Sequence, residues 1–182
     1  MTNVVVFCGG NIHPTHELFY RDLAYRLGQQ LADLGCRVIC GGGLGLMDEV
    51  CRGALDRQGF TQGICLDKPG VVQSSHLCEQ TLFPDLNSRQ QALISAGDAY
   101  IGLPGGTGTM YELIEVIERK KVGELSFDKP LIIVGDYYLP LRQQFEDAAA
   151  AGFIVQDYRK YAAFVPGVEE ALSALAAFKP GN

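Results

Sequence analysis

The chain has 182 residues, of which 47% are hydrophobic and 20% are charged. That length is enough to bury a substantial core, and it predicts one domain over residues 1–182. The formal net charge of −6 gives no reason to expect nucleic acid or an anionic membrane as a partner. No segment reads as a signal peptide or a membrane span, so we expect a cytoplasmic location.

Strand-like and helix-like segments alternate along the chain. Strands are predicted at residues 4–8, 37–40, 62–66, 79–83, 100–103 and 131–134. Helices are predicted at residues 17–34, 47–58, 87–96, 108–120, 139–150 and 168–177. Short, continuously apolar strands separated by helices are typical of a mostly parallel sheet with helices on both faces. The predicted fold is therefore a Rossmann-like α/β domain.

The helix at residues 108–120 has an apolar stripe and a carboxylate beside it. Its apolar residues recur at i, i+3, i+4 and i+7, in the order Met110, Leu113, Ile114 and Ile117. This spacing predicts that the stripe is buried. Glu112 lies on a different face, so we expect its carboxylate near the edge of the sheet instead of in the core.

Glycine clusters follow three of the predicted strands. They are CGG at residues 8–10, GGGLG at residues 41–45 and PGGTGT at residues 104–109. Because the carboxyl ends of parallel strands meet at one edge of the sheet, we expect a single shared pocket there. Exposed amides at a helix N-terminus attract phosphate, so PGGTGT predicts an anion site. A corner required only for packing is the alternative interpretation.

Two common phosphate motifs are incomplete in this sequence. The GGGLG cluster does not extend to G-x-G-x-x-G, because Leu46 and Asp48 stand where the last glycine would be, and this disfavours a dinucleotide site of the dehydrogenase type. The PGGTGT cluster lacks the lysine that reaches the β- and γ-phosphates in nucleotide triphosphatases. A nucleoside monophosphate therefore fits better than a triphosphate.

Cysteine and histidine patterns predict no metal site. The six cysteines never form a C-x-x-C pair, and several fall in or beside predicted strands, where cysteine acts as a small apolar residue. The three histidines lack the helical spacing of a metal-binding pair. We therefore expect structural roles for the cysteines and loop or surface roles for the histidines.

Arg89 and Glu112 are the candidate catalytic residues. Glu112 follows PGGTGT in the first helical turn, and Arg89 opens the helix before that glycine-bearing strand, so both can face the shared pocket. A carboxylate beside an anomeric carbon stabilises oxocarbenium-like charge and activates water, while a cation organises the substrate. The structural alternatives are stabilisation of a helix N-terminus by Glu112 and a solvated surface position for Arg89.

The segment PGGTGTMYE resembles the P-G-G-x-G-T-x-x-E motif of the LOG family of cytokinin riboside 5′-monophosphate phosphoribohydrolases and related nucleotide nucleosidases. VVVFCGG, GGGLGLMDEVCRGAL, GDAYIGLPGG and DKPLIIVGDYYLPL are similar to other family segments, so the resemblance covers residues 4–164. It implies hydrolysis of the N-glycosidic bond of a nucleoside 5′-monophosphate, of the AMP or cytokinin-riboside-monophosphate type. The products would be free base and ribose 5-phosphate, with no metal or organic cofactor.

The resemblance also implies roles for individual residues. Arg89 and Glu112 take the catalytic positions. The implied phosphate-binding residues are Gly105, Gly106, Thr107, Gly108 and Thr109, and the implied nucleotide pocket comprises Gly9, Gly10, Gly42, Gly43, Met47 and Glu115. Glu115 also has the i, i+4 spacing for an ordinary pair with Arg119. We expect residues 67–77 and 123–129 to supply the walls that select the base.

Two functions of different classes stay open. Gln90 stands where the family's arginine is followed by lysine, and related folds include molybdenum cofactor carriers. The alternative to the hydrolase is therefore a non-catalytic nucleotide or phosphorylated-cofactor carrier. The family's older lysine decarboxylase label is rejected, because no lysine here has the setting of a Schiff-base residue. The resemblance further implies a homodimer.

Overall fold

A computed structural model of the protein describes residues 1–177 as a sheet between two layers of helices. The strands are β1 (Asn3–Phe7), β2 (Arg37–Cys40), β3 (Phe60–Leu66), β4 (Glu79–Phe83), β5 (Ala99–Gly102), β6 (Leu131–Val134) and β7 (Ala163–Val165). The α-helices are α1 (Pro14–Asp33), α2 (Leu46–Asp56), α3 (Leu86–Ala96), α4 (Thr107–Lys121), α5 (Leu139–Ala150) and α6 (Val168–Ala177). Short 3₁₀ helices cover Asp136–Tyr138 and Tyr158–Lys160. Residues 178–182 of the predicted domain lie outside the described residues.

All seven strands join one parallel sheet in the order β4-β3-β2-β1-β5-β6-β7. The chain starts at β1, winds outward to β4, and returns to the other side of β1 to form β5. The strand order therefore reverses between β1 and β5, which is where ligands bind in open α/β sheets. The predicted α/β class is confirmed, and the sheet is entirely parallel. No helix within residues 1–177 has the length and apolarity that crossing a membrane requires.

Side chains of β1 alternate between two hydrophobic cores. Val4 and Val6 pack in the core beneath α1, α2 and α6, and Val5 and Phe7 pack in the core beneath α3 and α4. None of the four is more than 1% exposed. A strand buried on both faces has no polar side to display, and this explains why β1 is continuously apolar in the sequence.

Helix α4 is rotated relative to the predicted stripe. Met110 and Ile114 are 38% and 39% exposed, so the prediction that both are buried is wrong. The buried face instead contains Thr109, Glu112, Leu113, Val116, Ile117 and Lys120. Glu112 thus lies on the buried face, contrary to the predicted separation. Because this buried face includes polar residues, the spacing of the apolar residues alone predicted the wrong buried face.

The strand β7 has no counterpart among the predicted elements. It contains three residues, Ala163–Val165, which is too few for an alternating pattern to be recognised. It pairs with β6 and forms the sheet edge opposite β4. The carboxyl ends of the central strands are unaffected, so the expected ligand edge is the one described below.

Candidate active site

A cavity of about 340 Å³ opens at the carboxyl ends of β1, β2 and β5. Its walls are made of backbone from three loops and side chains from α2, α3 and α4. The lining residues are Val6, Cys8, Gly9, Gly10, Asn11, Gly41, Met47, Arg89, Gly106, Thr107, Gly108, Thr109 and Glu112. Arg89 and Glu112 are the two lining residues of opposite formal charge, so the ionic chemistry of this cavity depends on them.

The loop after β1 holds the neighbouring loops close together. Gly9 donates its N–H to the carbonyl of Pro104 at 3.0 Å, and its own carbonyl accepts the N–H of Leu46 at 2.9 Å. A Cβ atom on Gly9 would lie 3.1 Å from the Cα of Gly105, so a side chain there would push the two loops apart. The wall of the cavity is therefore bare backbone, which can approach a ligand closely.

Helix α4 begins at the cavity with its first amides uncovered. Its N-cap is Gly106, and within the described part of the chain no side chain caps the helix there. A Cβ atom on Gly106 or Gly108 would meet open space, so glycine at these positions leaves room for a ligand. Uncapped N–H groups at the positive end of a helix bind phosphate well. The start of α4 is consequently a suitable phosphate site.

Arg89 and Glu112 form a buried ion pair in the cavity wall. Arg89 Nη1 donates to Glu112 Oε1 at 2.7 Å, and Arg89 Nε donates to the carbonyl of Ile64 at 3.0 Å. The two side chains are only 12% and 9% exposed. Asp85 caps α3 by accepting the N–H of Ser88 at 2.9 Å, which orders the turn from which Arg89 projects.

The surroundings of Glu112 change its affinity for protons. Burial raises the pKa of this carboxyl above the ordinary value for glutamate, and the Arg89 guanidinium beside it opposes that rise. The nearby Glu115 carboxylate raises the pKa further. A carboxylate of this kind is more basic than an exposed one, and it is better matched to proton transfer near neutral pH.

Comparisons with known proteins bear on the identity of this chain. Residues 47–175 match the family model described as "possible lysine decarboxylase". A probable cytokinin riboside 5′-monophosphate phosphoribohydrolase of Oryza sativa subsp. japonica is 34% identical over 174 residues, covering 93% of this chain and 76% of that protein. The cytokinin riboside 5′-monophosphate phosphoribohydrolase of Rhodococcoides fascians is 32% identical, covering 95% and 88%. The chain belongs to the LOG family.

Solved structures with the same fold include proteins outside the LOG enzymes. The Moco carrier protein of Chlamydomonas reinhardtii superposes with a TM-score of 0.72 at 20% identity, covering 97% of this chain and 96% of that one. A molybdenum cofactor binding protein from Rippkaea orientalis gives a TM-score of 0.71 at 21% identity, covering 96% and 94%. At this identity the likeness shows a common fold, and function has to be argued from the site.

The structure brings most of the residues implied by the LOG resemblance to one cavity. Those that line it are Gly9, Gly10, Met47, Arg89, Gly106, Thr107, Gly108, Thr109 and Glu112. Four others do not line it: Gly42, Gly43, Gly105 and Glu115. Glu115 instead accepts from Arg119 at 2.6 Å on the same helix, the alternative that its spacing allowed. Gly105 lies against Gly9 and lines an adjoining cavity instead.

Cys8 and Gly41 belong to the glycine clusters that were expected to form one shared pocket, and both line this cavity. Sequence reasoning missed two other lining residues, Val6 and Asn11. A signal existed for Asn11, because it directly follows the first glycine turn. Residues 67–77 and 123–129 do not line this cavity in the described part of the chain, and their role in selecting the base stays a prediction.

The end of the segment 67–77 is held to α2 by Asp48. Asp48 Oδ1 accepts the hydroxyl of Ser74 at 2.6 Å and lies 2.8 Å from Nδ1 of His76. The N–H of Ser74 donates to the carbonyl of Gly42 at 2.8 Å. The network therefore ties the second glycine loop to α2 beside Met47, which lines the cavity.

The cysteines are mostly buried. Cys78 is exposed, and the other five are buried. Burial raises the pKa of the cavity-lining Cys8 well above its usual value, so its thiol stays protonated and is a poor nucleophile. The Sγ atoms of Cys40 and Cys51 are in contact at 3.5 Å. Residues 1–177 contain no group of three or more histidine, cysteine or acidic side chains arranged to hold a metal ion.

Proposed function

We propose that this protein hydrolyses the N-glycosidic bond of a nucleoside 5′-monophosphate, releasing free base and ribose 5-phosphate. The observation that carries the proposal is the buried Arg89–Glu112 pair in the same cavity as the uncapped start of α4. The names of the relatives support the same reaction. AMP and cytokinin riboside monophosphates are the substrates of this type that we favour.

The residues of the cavity place the phosphate and the sugar of the substrate at different positions. The 5′-phosphate binds the N–H groups of Gly106, Thr107 and Gly108 at the positive end of α4. The ribose then extends towards Glu112, which lies in the following helical turn. Arg89 holds the Glu112 carboxylate in one orientation through the 2.7 Å contact. The anomeric carbon is thereby placed beside a positioned carboxylate.

Glu112 acts on the developing positive charge and on water. As the C–N bond breaks, its carboxylate stabilises the oxocarbenium-like sugar. It accepts a proton from the attacking water, whose oxygen bonds to the anomeric carbon, and the departing base nitrogen takes up that proton. The raised pKa of Glu112 makes the carboxylate a stronger base for this step. The chemistry uses only water as a second reactant.

A carrier of a nucleotide or phosphorylated cofactor is the second candidate. The observation that favours it is Gln90, which stands where the family pair has lysine and is 1% exposed, and whose side-chain N–H₂ has no hydrogen-bond partner within residues 1–177. Gln90 accepts from Arg89 Nη1 at 3.3 Å, so it lies directly behind the charged pair without lining the cavity itself. A neutral amide there removes one cation from beside Arg89 and weakens the parallel with the enzymes.

A substrate panel distinguishes the two candidates. The purified protein is incubated with AMP, dAMP, the other common nucleoside 5′-monophosphates and isopentenyladenosine 5′-monophosphate, and base and ribose 5-phosphate are measured by chromatography. We expect release of both products, lost in Glu112→Gln and retained in Glu118→Gln, an exposed glutamate on the same helix. Absence of base release, together with a rise in melting temperature on adding a nucleotide, would favour the carrier.

We also propose that the protein works in the cytoplasm as a homodimer of single-domain chains. Apolar residues exposed on α4, at its C-terminal cap and after α5 support association, namely Met110, Ile114, Val122, Phe153 and Val155. Sedimentation equilibrium measures the assembly directly. A mass of one chain at micromolar concentration would contradict the dimer.

A further inference from the structure

A second cavity of about 360 Å³ adjoins the first one. Ring side chains form much of its wall: His13, His16, Tyr20 and Tyr137. We refer to it as the ring-lined cavity. Asn11 and Gly106 line both cavities, so the two spaces meet at these residues. Its volume is in the range of small-molecule sites, which are about 300–1,000 Å³.

The rings are arranged around the space and are tied to the phosphate site. The ring centroids of His16 and Tyr20 are 6.1 Å apart, and those of Tyr20 and Tyr137 are 6.4 Å apart in an edge-to-face arrangement. The hydroxyl of Tyr137 donates to the carbonyl of Gly105 at 2.8 Å. The wall thus contains aromatic surface for a planar ligand, and one of its rings is bonded to the loop that precedes α4.

The boundary between the cavities lies at the phosphate end of the first cavity. Gly106 is the N-cap of α4, where the proposed function places the 5′-phosphate. Arg89 and Glu112 line only the first cavity. A nucleotide with its glycosidic bond at Glu112 and its phosphate at Gly106 therefore presents the outer phosphate oxygens to the ring-lined cavity. Any group joined to that phosphate would enter the second space.

We infer that the two cavities together accept a dinucleotide, in which two nucleosides are joined through a 5′,5′-diphosphate. This inference rests on the proposed function for the orientation of the first nucleoside. One nucleoside has its glycosidic bond at Glu112, the diphosphate passes Asn11 and Gly106, and the second base stacks among Tyr20, Tyr137 and His16. Water then adds across the first C–N bond. One base leaves with a proton, and the ribose gains a hydroxyl while staying joined to the second nucleoside.

The residues that line the second cavity indicate that the base of the second nucleoside, not the second phosphate, adds to the binding affinity. Among the described residues, no lysine or arginine lines the ring-lined cavity. A terminal phosphate entering it would lose water without gaining a guanidinium or ammonium partner. A base can stack on tyrosine and histidine rings instead, and stacking on one aromatic ring contributes about 1–3 kcal/mol. ADP is therefore expected to gain much less than a dinucleotide.

The test compares diadenosine 5′,5′-diphosphate with AMP and ADP by titration calorimetry. Glu112→Gln protein is used so that no ligand is consumed. We expect the dinucleotide to bind at least tenfold more tightly than AMP, and ADP to bind within about threefold of AMP, given the stacking contribution above. The inference would be overturned if the dinucleotide bound no more tightly than AMP, or if ADP gained as much affinity over AMP as the dinucleotide does.

Variants in the wall locate the effect. Adding Tyr20→Leu to the Glu112→Gln background should reduce the affinity ratio of dinucleotide to AMP to below about threefold. His16→Ala, at an exposed position that does not endanger folding, should reduce it in the same direction. Tyr25→Leu is the matched control, because Tyr25 lies on the same helix, bonds Asp56 and lines neither cavity. A ratio unchanged by both Tyr20→Leu and His16→Ala would overturn the assignment.

Turnover by the wild-type protein separates this inference from the proposed function. Release of adenine from both AMP and the dinucleotide supports both proposals. If neither ligand releases adenine and the affinity ratio still depends on Tyr20, the hydrolase proposal fails and the two-cavity site stands. If AMP is hydrolysed and the ratio is near one, the hydrolase proposal stands and the two-cavity site is refuted.

Discussion

Two of the carboxylates on helix α4, Glu112 and Glu115, lie one turn apart, and each forms an ion pair with an arginine. Glu112 contacts Arg89, 23 residues away in the sequence and on another helix, at 2.7 Å. Glu115 contacts Arg119, four residues along the same helix, at 2.6 Å. The distances are nearly equal, yet only the first pair lines the cavity. Contact distance therefore does not distinguish the pair that lines the cavity, whereas burial and the origin of the partner do.

The far end of α4 provides a further contrast. Lys120 is 1% exposed, and its Nζ donates to the carbonyl of Tyr161 at 3.0 Å. Burial lowers the pKa of Lys120 to about 8. The helix thus buries Glu112 against a guanidinium at the cavity and Lys120 against a neutral carbonyl. The buried charge of Glu112 is therefore balanced by an opposite charge, whereas the buried charge of Lys120 is not.

The largest difference between the two carboxylates should appear in catalysis. Glu112→Gln removes the base and the charge that stabilises the transition state, so we expect the rate of adenine release from AMP to fall about 10²–10⁴-fold. Glu115→Gln removes a pair outside the cavity, and we expect a change below about threefold. Steady-state assays of both variants at pH 7 check this. Similar losses in the two would show that Glu115 acts in the reaction.

The two arginines should differ in their effect on stability. Arg89→Met leaves Glu112 buried without its partner, which is expected to cost about 3–5 kcal/mol in the free energy of unfolding. Arg119→Met removes a local helix pair and should cost less than about 1 kcal/mol. Urea unfolding of both variants at pH 7 measures the difference. Equal costs would mean that the buried location of the Arg89 pair adds nothing to its energetic importance.

Lys120 should reveal its burial through the pH dependence of stability. Its pKa is lowered to about 8 in the fold and is about 10.4 in an unfolded chain, so between these values the unfolded state holds the extra proton. The free energy of unfolding should therefore gain about 1.4 kcal/mol per pH unit from this group as pH rises through that window. Below pH 8 the group contributes a constant penalty.

The variant Lys120→Met isolates that contribution. We expect it to be more stable than the wild type at pH 7 by about 1–3 kcal/mol, with the gain shrinking as pH approaches 10. Lys121→Met is the control, because Lys121 is half exposed and pairs with Glu118. Urea unfolding at pH 7, 8.5 and 10 gives the comparison. A constant difference between Lys120→Met and the wild type across this range would contradict a depressed pKa for Lys120.

Asp48 should give the smallest of these effects, since its partners are neutral or partly exposed. Burial alone would raise its pKa, but hydrogen bonds from Ser74 and His76 outweigh burial and lower it. A carboxyl with a lowered pKa adds stability above its unfolded pKa of about 3.9 and loses it as pH falls through the folded value. We expect Asp48→Asn to cost about 1 kcal/mol at pH 7 and progressively less below pH 4. Urea unfolding at pH 7 and at a pH below 4 measures this cost, and a cost that does not change with pH would contradict the lowered pKa of Asp48.

Much of the fold was predictable because its signals are local. Buried strands such as Arg37–Cys40, which is apolar after its first residue, and Leu131–Val134, which is apolar throughout, were both predicted with their final bounds. The glycine clusters follow β1, β2 and β5, and the parallel arrangement alone brings their ends to one edge. Neither β7 nor the rotation of α4 could be predicted from the sequence. Strand β7 has three residues, which is too few for a recognisable pattern, and the rotation of α4 depends on buried polar residues.

The sequence by itself determined the α/β class, the edge where the glycine turns gather and the identity of Arg89 and Glu112 as candidates. Each of these follows from spacing within one element or from the rule that parallel strands end together. Only the tertiary structure decided that Arg89 reaches Glu112 across 23 residues, and that rings from α1 and the segment after β6 line a second cavity. Contacts between distant segments depend on how helices pack on the sheet, and no local periodicity records that packing.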